Sequence, residues 1–127
     1  MYWRSFIGAC LIVLSTSALA GKQEDDLRKQ GFIALKGGTA IRRAFSGHTF
    51  SDDIHFSYDY HENGSIDGMG MGVRHRNSWV VEEDQLCVIE TDGRSCYGVW
   101  KKGEEVKLVL VRVGLMIEGF LRRSQAK

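Results

Sequence analysis

From His48 onward the chain repeats one pattern: apolar residues at every second position in short runs, each run ending near a tight-turn pair. Ile54, Phe56, Tyr58 and Tyr60 alternate with His55, Ser57, Asp59 and His61, which predicts a half-buried strand, because successive strand side chains point to opposite faces. Asn63-Gly64 follows as a hairpin signal, and the chain returns through Ser65–Met71. In Gly68-Met69-Gly70-Met71-Gly72, glycine at alternate positions predicts a strand closely approached by another element, or a bend. Further strands are expected at Ser78–Val81, Leu86–Glu90, Ser95–Lys101, Val106–Arg112 and Leu115–Arg122, with turns at Glu83-Asp84, Asp92-Gly93 and Lys102-Gly103. The chain has no Pro and 15 Gly, so its turns rest on Gly, Asn and Asp. Short strands joined by tight turns describe a mainly β fold, a single antiparallel meander forming a curved sheet or small barrel. Ahead of it, Thr39–Phe45 reads as a short helix. Thr39 is the expected N-cap, Ile41, Ala44 and Phe45 share a face, and Gly47 suits the stop.

The 127 residues suffice for one ordinary domain. Residues 1–20 have the parts of a secretory signal peptide: Arg4 near the start, the apolar run Phe6–Leu14, and Ala18-Leu19-Ala20 at the end. Ser15, Thr16 and Ser17 cut the apolar run short of the roughly 20 residues that span a membrane. Lipid attachment at Cys10 fits poorly, because the apolar run continues past it. Residues 21–35 form a polar N-terminal segment and 36–127 the β domain. The expected location is periplasmic or secreted, with no stable membrane span once the signal is cleaved. Cleavage after Ala20 removes Arg4 from the 17 basic residues, leaving 16 against 16 acidic ones. A balanced charge offers no basic excess for a phosphate backbone, so nucleic acid is not an expected partner.

Cleavage also removes Cys10 and leaves Cys87 and Cys96, an even count suited to a disulfide in an exported protein. Their pairing depends on register. With Asp92-Gly93 as a two-residue loop, Cys87 faces Gly98, and the two α-carbons lie on a diagonal about 7–8 Å apart. With Glu90–Gly93 as a four-residue loop, Ile89 faces Arg94 and Cys87 sits opposite Cys96. The disulfide therefore predicts the second register. Thiol exchange usually places two cysteines three positions apart at a helix start, and two cysteines alone fall short of a zinc set.

No catalytic or metal constellation emerges from the remaining polar residues. His55, Asp59 and His61 share one face of the predicted strand, yet six residues separate the two histidines by roughly 20 Å. Asp59 and His61, about 7 Å apart, need help from another strand to bind an ion. The acidic pairs Asp25-Asp26, Asp52-Asp53 and Glu83-Asp84 fall at termini or turns, where two acids do not converge across a cleft. No G-x-S-x-G surrounds a serine, and Gly68–Gly72 lacks the Lys-Ser/Thr of a phosphate loop. No cofactor is implied. Phe56, Tyr58, Tyr60, Trp79, Tyr97 and Trp100 all fall on predicted strands, where an aromatic face serves either as packed core or as a ligand pocket.

The order of these features resembles a family of small exported proteobacterial proteins classed as a domain of unknown function, DUF995. The resembling pieces are Gly38-Thr39 through Phe45-Ser46-Gly47, Tyr58–Ser65 around the Asn-Gly turn, Trp79-Val80-Val81 with Glu83-Asp84, Leu86-Cys87, and Cys96-Tyr97. They cover about residues 36–112. The chain departs from the pattern at Asn77, where Gly is expected, and has no recognisable family ending after Gly114. The resemblance implies an exported all-β fold with a Cys87–Cys96 pair, and carries over no activity.

These readings lead to an exported, non-catalytic binding module. A small apolar or aromatic ligand is expected on the inner sheet face around Tyr58, Tyr60, Trp79 and Trp100. The alternative is a protein-interaction or inhibitor module of the cell envelope, acting through exposed turns or an edge strand such as Leu115–Arg122.

Overall fold

A computed structural model describes residues 17–125. Helix α1 (Ser17–Lys29) and the two-residue strand β1 (Ile33–Ala34) precede helix α2 (Gly38–Phe45). Eight strands follow: β2 (His48–Ser51), β3 (Phe56–Tyr60), β4 (Ser65–Gly70), β5 (Val73–Glu82), β6 (Gln85–Glu90), β7 (Gly93–Lys102), β8 (Glu105–Leu110) and β9 (Met116–Arg123). Neighbours from β2 to β9 pair antiparallel in chain order, β9 pairs back onto β2, and the meander closes into an eight-stranded barrel. β1 adds a short extra strand to β7.

Closure corrects one expectation. The segment Leu115–Arg122 is no edge, because β9 is hydrogen-bonded to β2 on one side and to β8 on the other. The Asp52 carboxylate makes a second correction. Its Oδ1 accepts from the backbone N–H groups of Ile54, His55 and Phe56, which holds 52–55 as a loop. Ile54 is therefore exposed in that loop, and the inward alternation starts at Phe56.

The interior is built from inward positions of all eight strands, among them Phe50, Tyr60, Ile66, Trp79, Leu86, Val99, Leu108 and Leu121. α2 closes one end. Ile41 and Phe45 are fully buried, and the Phe45 ring packs edge-on against Tyr60 at 4.9 Å and Phe50 at 6.4 Å. Two backbone contacts fix the helix there: Gly37 N–H donates to Asp84 Oδ1 (2.6 Å) and Gly47 N–H to the Tyr60 carbonyl (2.9 Å). Gly37, not Thr39, occupies the N-cap, and the Asp84 carboxylate from the β5–β6 turn reaches it in place of a local side chain. The Tyr60 ring meets Trp79 at 5.7 Å, and Trp79 Nε1–H donates to the His61 carbonyl (2.9 Å). This end is packed, and the Trp79 indole and the Gly37 and Gly47 N–H groups have partners.

A second, smaller cluster lies outside the barrel, where Leu27 of α1 and Phe32 cover Trp100 on the outer face of β7. Arg28 stacks over Trp100 and Lys107 over Phe32, at 5.3 and 4.7 Å. The polar N-terminal segment is thus helical as far as Lys29, and buried Leu27 with the Arg28 stem anchors it to the barrel.

Cys87 pairs opposite Cys96 with α-carbons 4.0 Å apart, and the two form a disulfide. Ile89 faces Arg94, the register the disulfide requires, but the loop differs from both expected ones: Glu90 pairs with Gly93, so the connection is the two residues Thr91-Asp92, neither Asp92-Gly93 nor the four residues Glu90–Gly93. Among the described residues no helix is long and apolar enough to cross a membrane. The signal sequence expected at residues 1–20 lies almost wholly outside the described residues.

Candidate functional site at the open end of the barrel

The end away from α2 is ringed by the 52–55 loop, the β4–β5 and β6–β7 turns and the 111–115 loop. Within it is a cavity of about 220 Å³. Phe50, Phe56, Tyr58 and Tyr60 supply aromatic walls, and Ile66, Val88, Leu108 and Ile117 the aliphatic ones. His75, Asn77, Glu90 and Tyr97 complete the lining with polar groups. Pairing brings them together: Asn77 of β5 lies opposite Ile66, His75 opposite Gly68, and Val88 of β6 opposite Trp79. Eight strands enclose an interior just wide enough to be filled by side chains or to leave a small cavity, and here one half is filled and the other keeps a cavity.

The Gly-Met stretch shapes this cavity. It pairs as regular β4, with Gly68 and Gly70 facing in and Met69 facing out. A Cβ on Gly70 would stand 1.9 Å from the Tyr58 hydroxyl, so the phenol lies across the bare backbone of its neighbour strand. A Cβ on Gly68 would meet the Ser57 carbonyl oxygen at 2.0 Å. Glycine is what lets Tyr58 lie flat along the wall instead of filling the lumen. The Tyr58 ring stacks on Phe56 (5.7 Å) and meets the His75 ring edge-on (6.2 Å), extending the aromatic wall to the lip.

Among the described residues, no side-chain hydrogen bond or ion pair engages Tyr58, Tyr60, His75, Asn77, Glu90 or Tyr97, and none of their polar atoms is sealed from the cavity. Burial raises the Tyr58 phenol above its ordinary pKa, and the Glu90 carboxylate across the lumen raises it further. Burial also raises Tyr60, with Tyr97 and Tyr58 adding to the effect. All three phenols and the Glu90 carboxylate line the one cavity.

The four aromatic residues expected at a binding face separate. Tyr58 and Tyr60 line the cavity. Trp79 is core at the closed end, held by its indole hydrogen bond. Trp100 is a correction: it follows inward-facing Val99, so its side chain leaves the barrel and packs under α1. It borders a broad open depression of about 770 Å³ between α1 and the 111–114 segment, flanked by Lys22, Glu24 and Asp26. His75, Asn77 and Glu90 are site residues that sequence reasoning passed over. Their signal was parity: His75 and Asn77 precede Trp79 by four and two, and Glu90 follows Val88 by two, all on the lumen face.

The histidines singled out earlier lie elsewhere. His61 Nε2 pairs with Asp67 Oδ2 (2.8 Å) and His55 Nδ1 with Asp52 Oδ2 (2.7 Å), both away from the cavity lining. Thr49 Oγ1–H donates to Asp59 Oδ1 (2.5 Å). Among the described residues, no group of three or more His, Cys, Asp or Glu is placed to hold a metal ion.

Fold and site together define a helix-plugged, eight-stranded antiparallel barrel with an aromatic cavity at its free end. Comparison with known proteins adds no relative: no family model, no curated protein and no solved structure matches the chain.

Proposed function

We propose that this protein is an exported, non-catalytic binding module that holds a small apolar or aromatic ligand in the barrel lumen. One observation carries the reading: the lumen is packed beside α2 but keeps a cavity of about 220 Å³, walled by aromatic rings, at the other end. A few convergent polar groups in a mostly apolar concavity are the usual composition of a ligand site. The volume is below the roughly 300–1,000 Å³ of drug-sized pockets, which sets the ligand at about one ring and a short substituent. Export to the periplasm or beyond is supported by the signal-like residues 1–20 and by a disulfide that persists in oxidising compartments. The DUF995-like order of motifs agrees with this reading. Native mass spectrometry of the full chain, exported by a bacterial host and gently recovered, tests it. A discrete adduct on the processed chain is expected, and a Val88→Phe variant, which fills the cavity, loses it. A bare chain in both cases counts against the reading.

A second reading, an envelope protein-interaction module, is favoured by the apolar residues that the open-end loops expose: Ile54, Met71, Val113 and Leu115. It predicts an interaction that Val88→Phe leaves intact and that Ile54→Ser or Val113→Ser weakens.

A further inference from the structure

The polar groups of the cavity are Glu90, His75, Asn77 and the Tyr58, Tyr60 and Tyr97 hydroxyls. Its lining holds one carboxylate, Glu90, and no lysine or arginine among the described residues. The Tyr58, Tyr60 and Tyr97 hydroxyls and the Asn77 carbonyl can all accept, and none is engaged by another side chain. Several carboxylates of the fold are engaged by basic side chains, Asp53 and Glu104 by Arg122, Glu82 by Arg94, Glu118 by Lys107 and Asp67 by His61, and of those without such a partner among the described residues Glu90 is the one that lines this cavity. Glu90 sits at the lip without a cation, beside an aromatic wall formed by Phe56 and Tyr58. A carboxylate next to ring faces attracts positive charge twice, through the ion pair and through the negative faces of the rings. An anionic ligand would meet the Glu90 carboxylate with no lysine or arginine in the lining to offset it.

We infer that the ligand is a small organic amine, whose apolar body lies among Phe50, Phe56 and Ile117 while its ammonium group faces Glu90 and the Tyr58 and Tyr97 hydroxyls. Asn77 and His75 define the side of the lip where the ammonium enters. The inference rests on the lumen being the binding site and names the chemistry that this site selects.

Three probes that share a phenylethyl body and differ in charge test it: 2-phenylethylamine, 2-phenylethanol and 3-phenylpropionate, titrated into the full chain at pH 7 and followed by NMR shifts of the lumen methyls. The amine is expected to bind about tenfold or more tightly than the alcohol, the size of one charge-assisted contact, and the carboxylate weakest. Glu90→Gln is expected to erase the amine's advantage while the alcohol binds as before. Glu90 is exposed, so the variant keeps its fold, which circular dichroism checks. If the alcohol or carboxylate shifts the lumen methyls as well as the amine does, the amine assignment is wrong and the lumen reading stands. If no probe shifts them, both fail.

Discussion

The two ends of the barrel are made from the same alternation of aromatic and small residues, yet one is a core and the other a cavity. At the closed end, α2 delivers Phe45 and Ile41 into the lumen, and Tyr60 and Trp79 pack against them. Polar groups there find fixed partners: the Trp79 indole on the His61 carbonyl, Gly37 N–H on Asp84. Among the described residues no helix enters the open end. Tyr58 lies against the bare backbone of Gly68 and Gly70, and among the described residues no side chain hydrogen-bonds to the phenols, His75, Asn77 or Glu90. A residue's role in this barrel therefore follows from which end it faces. Tyr60 and Tyr58, two residues apart on the same strand face, fall on either side of that division: the first is buried, the second half-exposed to the cavity.

Substitutions at the two ends sharpen this contrast. Phe45→Ala removes the plug side chain and should cost about 3–5 kcal/mol in chemical denaturation. Tyr97→Phe at the open end deletes a hydroxyl that no side chain uses, and should stay within about 0.5 kcal/mol of the parent. If the two cost the same, the ends are equally packed and the distinction collapses. Removing the disulfide by Cys87→Ala with Cys96→Ala comes next. Closing a loop of about ten residues is worth roughly 2.5–3 kcal/mol in the chain-entropy model, and the barrel should still fold.

A smaller effect concerns the Asp52 loop at the open end. Desolvation opposes ionisation of Asp52, but the backbone N–H groups of Ile54, Phe56 and His55, with the His55 ring, outweigh it. They hold the carboxyl well below its ordinary value of 3.8. A carboxyl with a depressed folded pKa contributes stability that is complete above its unfolded pKa and is lost as pH falls toward the folded one. The parent should therefore lose stability on acidification below about pH 4 more steeply than Asp52→Asn, measured as denaturation midpoint against pH. Parallel curves would mean that the loop does not depend on the carboxylate's charge.

The meander, its turns and the cystine register were legible because each rests on local chemistry: period-two alternation, Gly, Asn and Asp at turns, and two cysteines that can meet in one register only. What was not legible is non-local. Closure depends on β9 finding β2 and on β8 pairing with both β7 and β9, and no local pattern marks those meetings. Between Gly21 and Lys29, α1 offered one buried apolar residue, Leu27, too few for a helical stripe to show. Trp100 was misplaced although its strand carried the correction. Tyr97 and Trp100 are three apart, and an odd separation puts two strand residues on opposite faces. His75, Asn77 and Glu90 were invisible as a group because three positions on two strands converge only when β5 and β6 pair inside a closed barrel.

The central claim, that the lumen is solid beside α2 and hollow at the other end, is tested most directly by methyl NMR under xenon pressure. Xenon enters apolar cavities without requiring a particular ligand chemistry. Shifts should concentrate on Val88, Leu108, Ile66 and Ile117, which line the cavity, and leave Leu86, Val99 and Val106 unmoved. Equal shifts at both sets, or none at the first, would contradict it.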